Sequence, residues 1–219
     1  MLGQFDVVIR KFNSKDRTQV RQINHDTAFM GEPASVFFEG KELIIDALSL
    51  YFTDYEPQSC FVAEINGEVL GYLIGTKNAA ASDKVISDKI ILRLFWSALL
   101  SGALFKKKNL IFIFKLLLSL AKGEFRAPDF KKEYPAILHI NIKIGFRGLD
   151  IGSKLISVYL EYLKHENIAG VHLATMSEKA GEFFLKQGFQ LLYQGKRSYF
   201  SHILHKEIPI LIYGKKTIF

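Results

Sequence analysis

His139 and Asn141 stand two positions apart in the apolar run AILHINIKI, Ala136 to Ile144. Such alternation predicts a strand, in which residues two apart share a face, so an imidazole and a carboxamide would point the same way. An imidazole with its ordinary pKa near 6.5 accepts a proton close to neutral pH. An amide cannot act as a base, so Asn141 is expected only to orient a substrate or a water. The other reading of His139 is a core histidine with satisfied hydrogen bonds. Directly after this run comes GFRGLDIGSKLI, Gly145 to Ile156, a glycine-rich loop opening into an amphipathic helix. Small residues let a ligand approach the backbone, and the start of a helix presents unpaired amides and the positive end of its dipole, so an anion is the expected guest. The plainer alternative is that Gly148 and Gly152 only shape the turn.

Two familiar phosphate loops are excluded by spacing. A P-loop needs four residues between its glycines and a lysine straight after the second, whereas Gly148 and Gly152 enclose three and Ser153 follows. The dinucleotide fingerprint G-x-G-x-x-G fails because Gly145, Gly148 and Gly152 are three and four apart. His172 on a following strand is expected to be structural. The six histidines show no metal-like spacing with the acids, His202 and His205 lie in a hairpin without a third ligand, and no metal is expected. The single cysteine, Cys60, lies in the apolar run CFVAEI and reads as a small buried hydrophobe.

The chain that must position these groups has 219 residues, 49% of them hydrophobic and 23% charged, which indicates a folded globular protein of one domain, 1–219. FDVVIRKF opens as a strand and is followed by a helix over NSKDRTQVRQINHDTAF; KELIIDALSLYFTDY is a second helix. SCFVAEINGEVLGYLIGT is two strands joined by Asn66-Gly67, a strong hairpin signal. After the strand and helix described above come a strand over GVHLATM, a helix over SEKAGEFFLKQ and a closing strand hairpin. Between them, about 79–133 looks inserted, as two apolar helices joined at Lys106, Lys107 and Lys108. The fold class is therefore mixed α+β with an inserted helical hairpin.

The order of elements and two motifs resemble the GNAT superfamily of acetyl-CoA-dependent N-acetyltransferases, most closely its bacterial small-molecule members. The family signature R/Q-x-x-G-x-G/A falls on Arg147-Gly148-Leu149-Asp150-Ile151-Gly152, and a second pattern, A-x-x-F-Y-x-x-x-G-F, on AGEFFLKQGF, Ala180 to Phe189. The resemblance implies a central twisted and mostly antiparallel sheet flanked by helices. It also implies acetyl-CoA with its pyrophosphate on the amides of Arg147, Gly148, Leu149, Asp150, Ile151, Gly152 and Ser153, and its pantetheine beside Ile140 and Ile142. It departs at four places. Asp150 replaces a glycine and brings a carboxylate to a phosphate site, Phe184 replaces a tyrosine that protonates the leaving thiolate, Ser177 replaces an asparagine that contacts pantetheine, and Ile144 stands where proline is common.

The expected activity is acetyl transfer from acetyl-CoA to a small-molecule amine by direct attack in a ternary complex, with His139 as base. The alternative is a non-enzymatic acyl-CoA-binding or regulatory protein on the same fold, motivated by Asp150 and Phe184. Glu32, Asp54 and Tyr55, in the first two helices and their loop, are the candidates for binding the amine. The net charge of +7 suits phosphate-bearing partners, and nucleic acid is not expected because no binding motif accompanies it. The N-terminus lacks the apolar core of a secretory signal and no apolar stretch is long enough to span a bilayer, which makes the cytoplasm the expected location. The apolar inserted helices need a cover: the domain itself, a second copy in a homodimer, or, less favoured, a peripheral membrane surface.

Overall fold

A computed structural model describes residues 7–217. Its seven-stranded sheet runs in the order β1-β2-β3-β4-β5-β7-β6, with β1 Val8–Lys11, β2 Phe61–Ile65, β3 Glu68–Thr76, β4 Ala136–Ile142, β5 Gly170–Thr175, β6 Gln190–Arg197 and β7 Ile208–Lys216. Every neighbouring pair is antiparallel except β4 and β5. The β2–β3 turn is made by Asn66 and Gly67, both at positive φ, as its sequence requires. The expected opening strand begins, among the described residues, at Val8; its Phe5 and Asp6 lie outside them.

One face of the sheet carries α6 (Ile151–His165) and α7 (Glu178–Lys186). Leu155, Ile156, Tyr159 and Leu163 of α6 are fully buried there against Leu73, Ala136, Leu138 and Val171. Gly75 of β3 is obligatory, because a Cβ would stand 2.2 Å from the Tyr159 hydroxyl oxygen. The opposite face carries α1 (Arg17–Thr27) and α2 (Lys41–Leu50), with Val20, Ile23 and Leu50 packed on Val62, Tyr72 and Ile74. A single π-helical turn, Tyr51–Tyr55, prolongs α2. It leads to Glu56, whose buried carboxylate accepts from Tyr51, Ser59, Thr76 and the Lys77 amide and ties the end of α2 to the end of β3.

The inserted segment enters after β3 and rejoins at β4. It contains α3 (Ala79–Val85), a π turn, α4 (Ile91–Leu100) and α5 (Lys107–Ala121). It differs from the expected hairpin in that α4 leans on α2, and α5 leans on the α1–α2 loop and on α8 (Ser201–Leu204), so each helix rests on the domain. The β6–β7 connection likewise contains this short helix, and His202 sits in it rather than in an edge strand.

Candidate acetyl-CoA and catalytic site

Beyond the pairs Ala136 with Val171 and Ile137 with His172, β4 and β5 separate. The edge of β4 from Leu138 to Ile142 is thus left unpaired towards β5, which makes a wedge in the middle of the sheet. Alternation sends Leu138 into the α6 core and His139 to the other face, where Phe52 of the π turn meets its ring edge to face at 5.3 Å. His139 is exposed to solvent, and the protein atoms packed around it still desolvate part of the ring. That surrounding, followed by the nearby His172, lowers its pKa from 6.5 to about 4. Water reaching the ring retains part of the imidazolium's hydration, which tempers the shift without reversing it. At neutral pH the ring is therefore neutral and has a lone pair free for a proton.

Asn141 donates from Nδ2 to the Tyr72 hydroxyl at 2.8 Å, the direct cross-strand pair of the β3–β4 register. Tyr72 is fully buried, and burial raises its pKa, so it stays protonated. Asn24 of α1 stands beside it, with its Oδ1 buried and unpartnered. Phe52, Tyr72 and Asn24 were not legible as site residues. Only the register, which puts Tyr72 opposite Asn141, reveals them. His172 is anchored by its Nδ1 on the Tyr134 carbonyl at 2.6 Å, and burial lowers its pKa, in keeping with a structural role.

At the end of β4 the chain turns through Gly145 and Gly148, both at positive φ. Asp150 follows at φ 60, ψ 8 as the residue that opens α6. This left-handed conformation is what a glycine supplies most cheaply, and aspartate is among the few other residues that tolerate it. Among the described residues, none of the seven amides from Arg147 to Ser153 has an acceptor in the chain. The loop is exposed, and these amides lie at the positive end of the fifteen-residue α6, so the residues present fit a pyrophosphate.

Several expected contacts take a different form. Gly152 lacks a side chain on account of α7, since a Cβ would stand 3.0 Å from the Phe183 ring. Arg147 folds away from the loop: its guanidinium rests against Gly31 in the α1–α2 loop, where a Cβ would be 2.9 Å from Nη1. Phe184 is enclosed in the core by Phe183, Phe189 and Tyr213. Ser177 caps α7 by accepting from the Ala180 amide. Ile140 and Ile142 are half-buried against the α6 core at the unpaired edge.

The three amine candidates do not converge. Asp54 is held by Arg17 at 2.5 Å and by Thr53 at 2.6 Å; burial opposes its ionisation, and these bonds outweigh that and lower its pKa. Tyr55 stacks on Tyr51. Both follow the C-terminus of α2, whereas exposed Glu32 lies in the loop before its N-terminus, about 15 Å of helix away. Cys60 is fully buried, and burial pushes its thiol up to about 12, as suits a packing residue. Among the described residues no three His, Cys, Asp or Glu side chains group to hold a metal ion. A surface groove of about 370 Å³ between Val36, Lys107, Ile111 and His202 includes none of the residues around His139.

A model of the acetyltransferase (GNAT) family matches residues 19–189, more than three quarters of the chain. The chain belongs to the GNAT acetyltransferase family. As a member it is an acyltransferase that uses acetyl-CoA. Among curated proteins none matches the sequence. Solved structures share the GNAT fold. The crystal structure of SsHAT superposes with a TM-score of 0.68 at 20% identity over 97% of this chain and 99% of its own. A polyamine N-acetyltransferase from Drosophila melanogaster that forms N-acetylagmatine gives 0.58 at 12% identity, over 96% and 100%. The protein yncA from Salmonella typhimurium, solved with its cofactor acetyl-CoA, gives 0.56 at 12%, over 97% and 94%.

Proposed function

We propose that this GNAT protein transfers the acetyl group of acetyl-CoA to the amine of a small molecule, by direct attack with donor and acceptor bound together. The observation that carries this reading is the parting of β4 from β5 beyond Ile137. There the freed edge of β4 carries His139 and runs on into the loop whose seven amides, Arg147 to Ser153, have no acceptor among the described residues. The polyamine and agmatine acetyltransferases among the similar folds support a small amine as acceptor.

Bound in the wedge, acetyl-CoA supplies the thioester that the amine attacks. The amides of Arg147 to Ser153 hold the pyrophosphate, and Ile140 and Ile142 line the pantetheine arm with apolar surface. His139 takes the proton that the amine loses as it bonds to the carbonyl carbon. A neutral imidazole serves this step at neutral pH, although a lowered pKa makes it a weaker base. Asn141, fixed by Tyr72, orients the acceptor or a water beside the ring. Phe184 offers no proton, so the departing thiolate takes one from water. Glu32, in the loop touched by Arg147, is the remaining acid for an acceptor ammonium.

The test is a screen of amines, amino sugars and polyamines by free-thiol release, followed by His139→Ala. With the best amine, kcat should fall about a hundredfold while the Kd for acetyl-CoA stays within about twofold. Turnover that survives the substitution would remove His139 from the chemistry. The active form of His139 is the neutral one, and its pKa lies below 6.5. Any loss of kcat caused by protonating His139 should therefore set in only below about pH 6.5, and a His139 limb above that value in the pH profile of kcat would contradict the assignment.

A further inference from the structure

Among the described residues, twelve of the twenty-two exposed large apolar side chains lie between Ile91 and Leu120, in the segment that joins β3 to β4. On α4, Leu92, Phe95 and Trp96 face outwards while Ala98 is buried; on α5, Leu110, Phe114 and Leu117 face outwards. In the connection between the two helices Leu100 is 84% and Phe105 is 70% exposed, and Phe105 directly precedes Lys106, Lys107 and Lys108. The domain leaves this surface uncovered, and charge argues against a second copy as its cover. From Lys89 to Gly123 the chain has seven Lys and Arg and not one Asp or Glu, in a protein with twenty-two acids. Two copies joined through this segment would bring two sets of like charges together without compensation. Some of these cations have partners elsewhere: Lys106 pairs with Glu39, Lys108 donates to the Ser35 carbonyl and Arg93 approaches Asp46. Among the described residues, Lys89, Lys107 and Lys115 have no acidic partner.

Exposed Leu, Phe and Trp beside a cluster of lysines, in a stretch of chain with no acid of its own, is the composition of a surface that lies in the boundary of an anionic bilayer. No described helix is long and apolar enough to cross a membrane. We infer that the α4–α5 segment docks the enzyme on anionic membranes, with Leu100, Phe105 and Trp96 entering the acyl boundary and Lys106 to Lys108 meeting lipid phosphates. The proposal does not depend on the reading of the acetyl-transfer site.

Trp96 is the only tryptophan and is half exposed, so its emission reports the event directly. The full chain should sediment with vesicles of phosphatidylcholine containing roughly a third phosphatidylglycerol, with a blue shift of Trp96, and should release as salt is raised. Free glycerophosphate should give no shift. Leu100→Ser with Phe105→Ser, and separately Lys106→Glu with Lys107→Glu and Lys108→Glu, should each weaken binding at least tenfold. All of these side chains except half-buried Lys108 are exposed, and a retained melting-temperature rise with acetyl-CoA would confirm that the variants fold. The proposal is overturned if the intact chain ignores anionic vesicles or if the lysine variant binds them equally well. A blue shift that appears without lipid, as a dimer forms on concentration, would also overturn it.

Discussion

Helices α6 and α5 are both fifteen residues long, and both are rich in leucine, isoleucine and aromatics, yet the fold uses them in opposite ways. α6 buries Ile151, Leu155, Ile156, Tyr159 and Leu163 and leaves its first amides free at the wedge. The fully buried residues of α5 are polar, Asn109 and Ser119, while Leu110, Phe114 and Leu117 face solvent. Asn109 accepts from the Glu39 amide and donates to the Glu39 and Ala103 carbonyls, which pins the start of α5 to the α1–α2 loop. At the other end Ser119 donates to Glu124, which also accepts from Ser198 in the β6–β7 connection. Half-buried Phe112 and Leu116 add apolar contact with Phe37, Tyr199 and Phe200. One helix is therefore held by burial of its stripe and the other by polar pins at its ends, which leaves the second free to present an apolar face outwards.

The same type of substitution should separate the two helices. Leu155→Ala on α6 empties a fully buried site and is expected to cost about 3 kcal/mol in denaturant unfolding. A cost below about 1 kcal/mol would break the comparison. Asn109→Ala leaves the Glu39 amide and two carbonyls without their partner and should cost about 2 kcal/mol, more than any single exposed leucine of α5. Asp150→Gly relieves a left-handed aspartate and removes a carboxylate from the amide cradle. Acetyl-CoA should then bind more tightly by about 1 kcal/mol, roughly fivefold in Kd by calorimetry. Weaker binding would show that the carboxylate points away from the phosphates. Smallest of all, Leu117→Ala should change stability by less than about 0.5 kcal/mol, since the side chain is 56% exposed. A large loss there would mean that α5 is covered in solution.

Much of the fold was legible because its signals are local. Asn66-Gly67 turns the β2–β3 hairpin through its tolerance of positive φ, alternation marks β4, and the 3.6-residue spacing of Ile151, Leu155 and Tyr159 marks α6. Order in the chain was likewise enough to find the loop from Arg147 to Gly152. The candidate site was legible only in part. His139 and Asn141 share a face because period two demands it, but nothing local to Asp54 tells that Arg17 already holds it. Phe184 and Ser177 matched a motif by position, and packing made one a core residue and the other a helix cap.

The sequence by itself determined the elements, their order and the anion-seeking loop, because hydrophobic period, turn residues and capping act over a few residues. Only the tertiary structure decided where β4 leaves β5 and in what register β3 meets β4, which sets Tyr72 against Asn141 on the face that carries His139. It alone also decided which side of α5 turns inward. Those outcomes depend on contacts between residues tens of positions apart, where shape and the pairing of buried polar groups choose among faces that are equally apolar in the sequence.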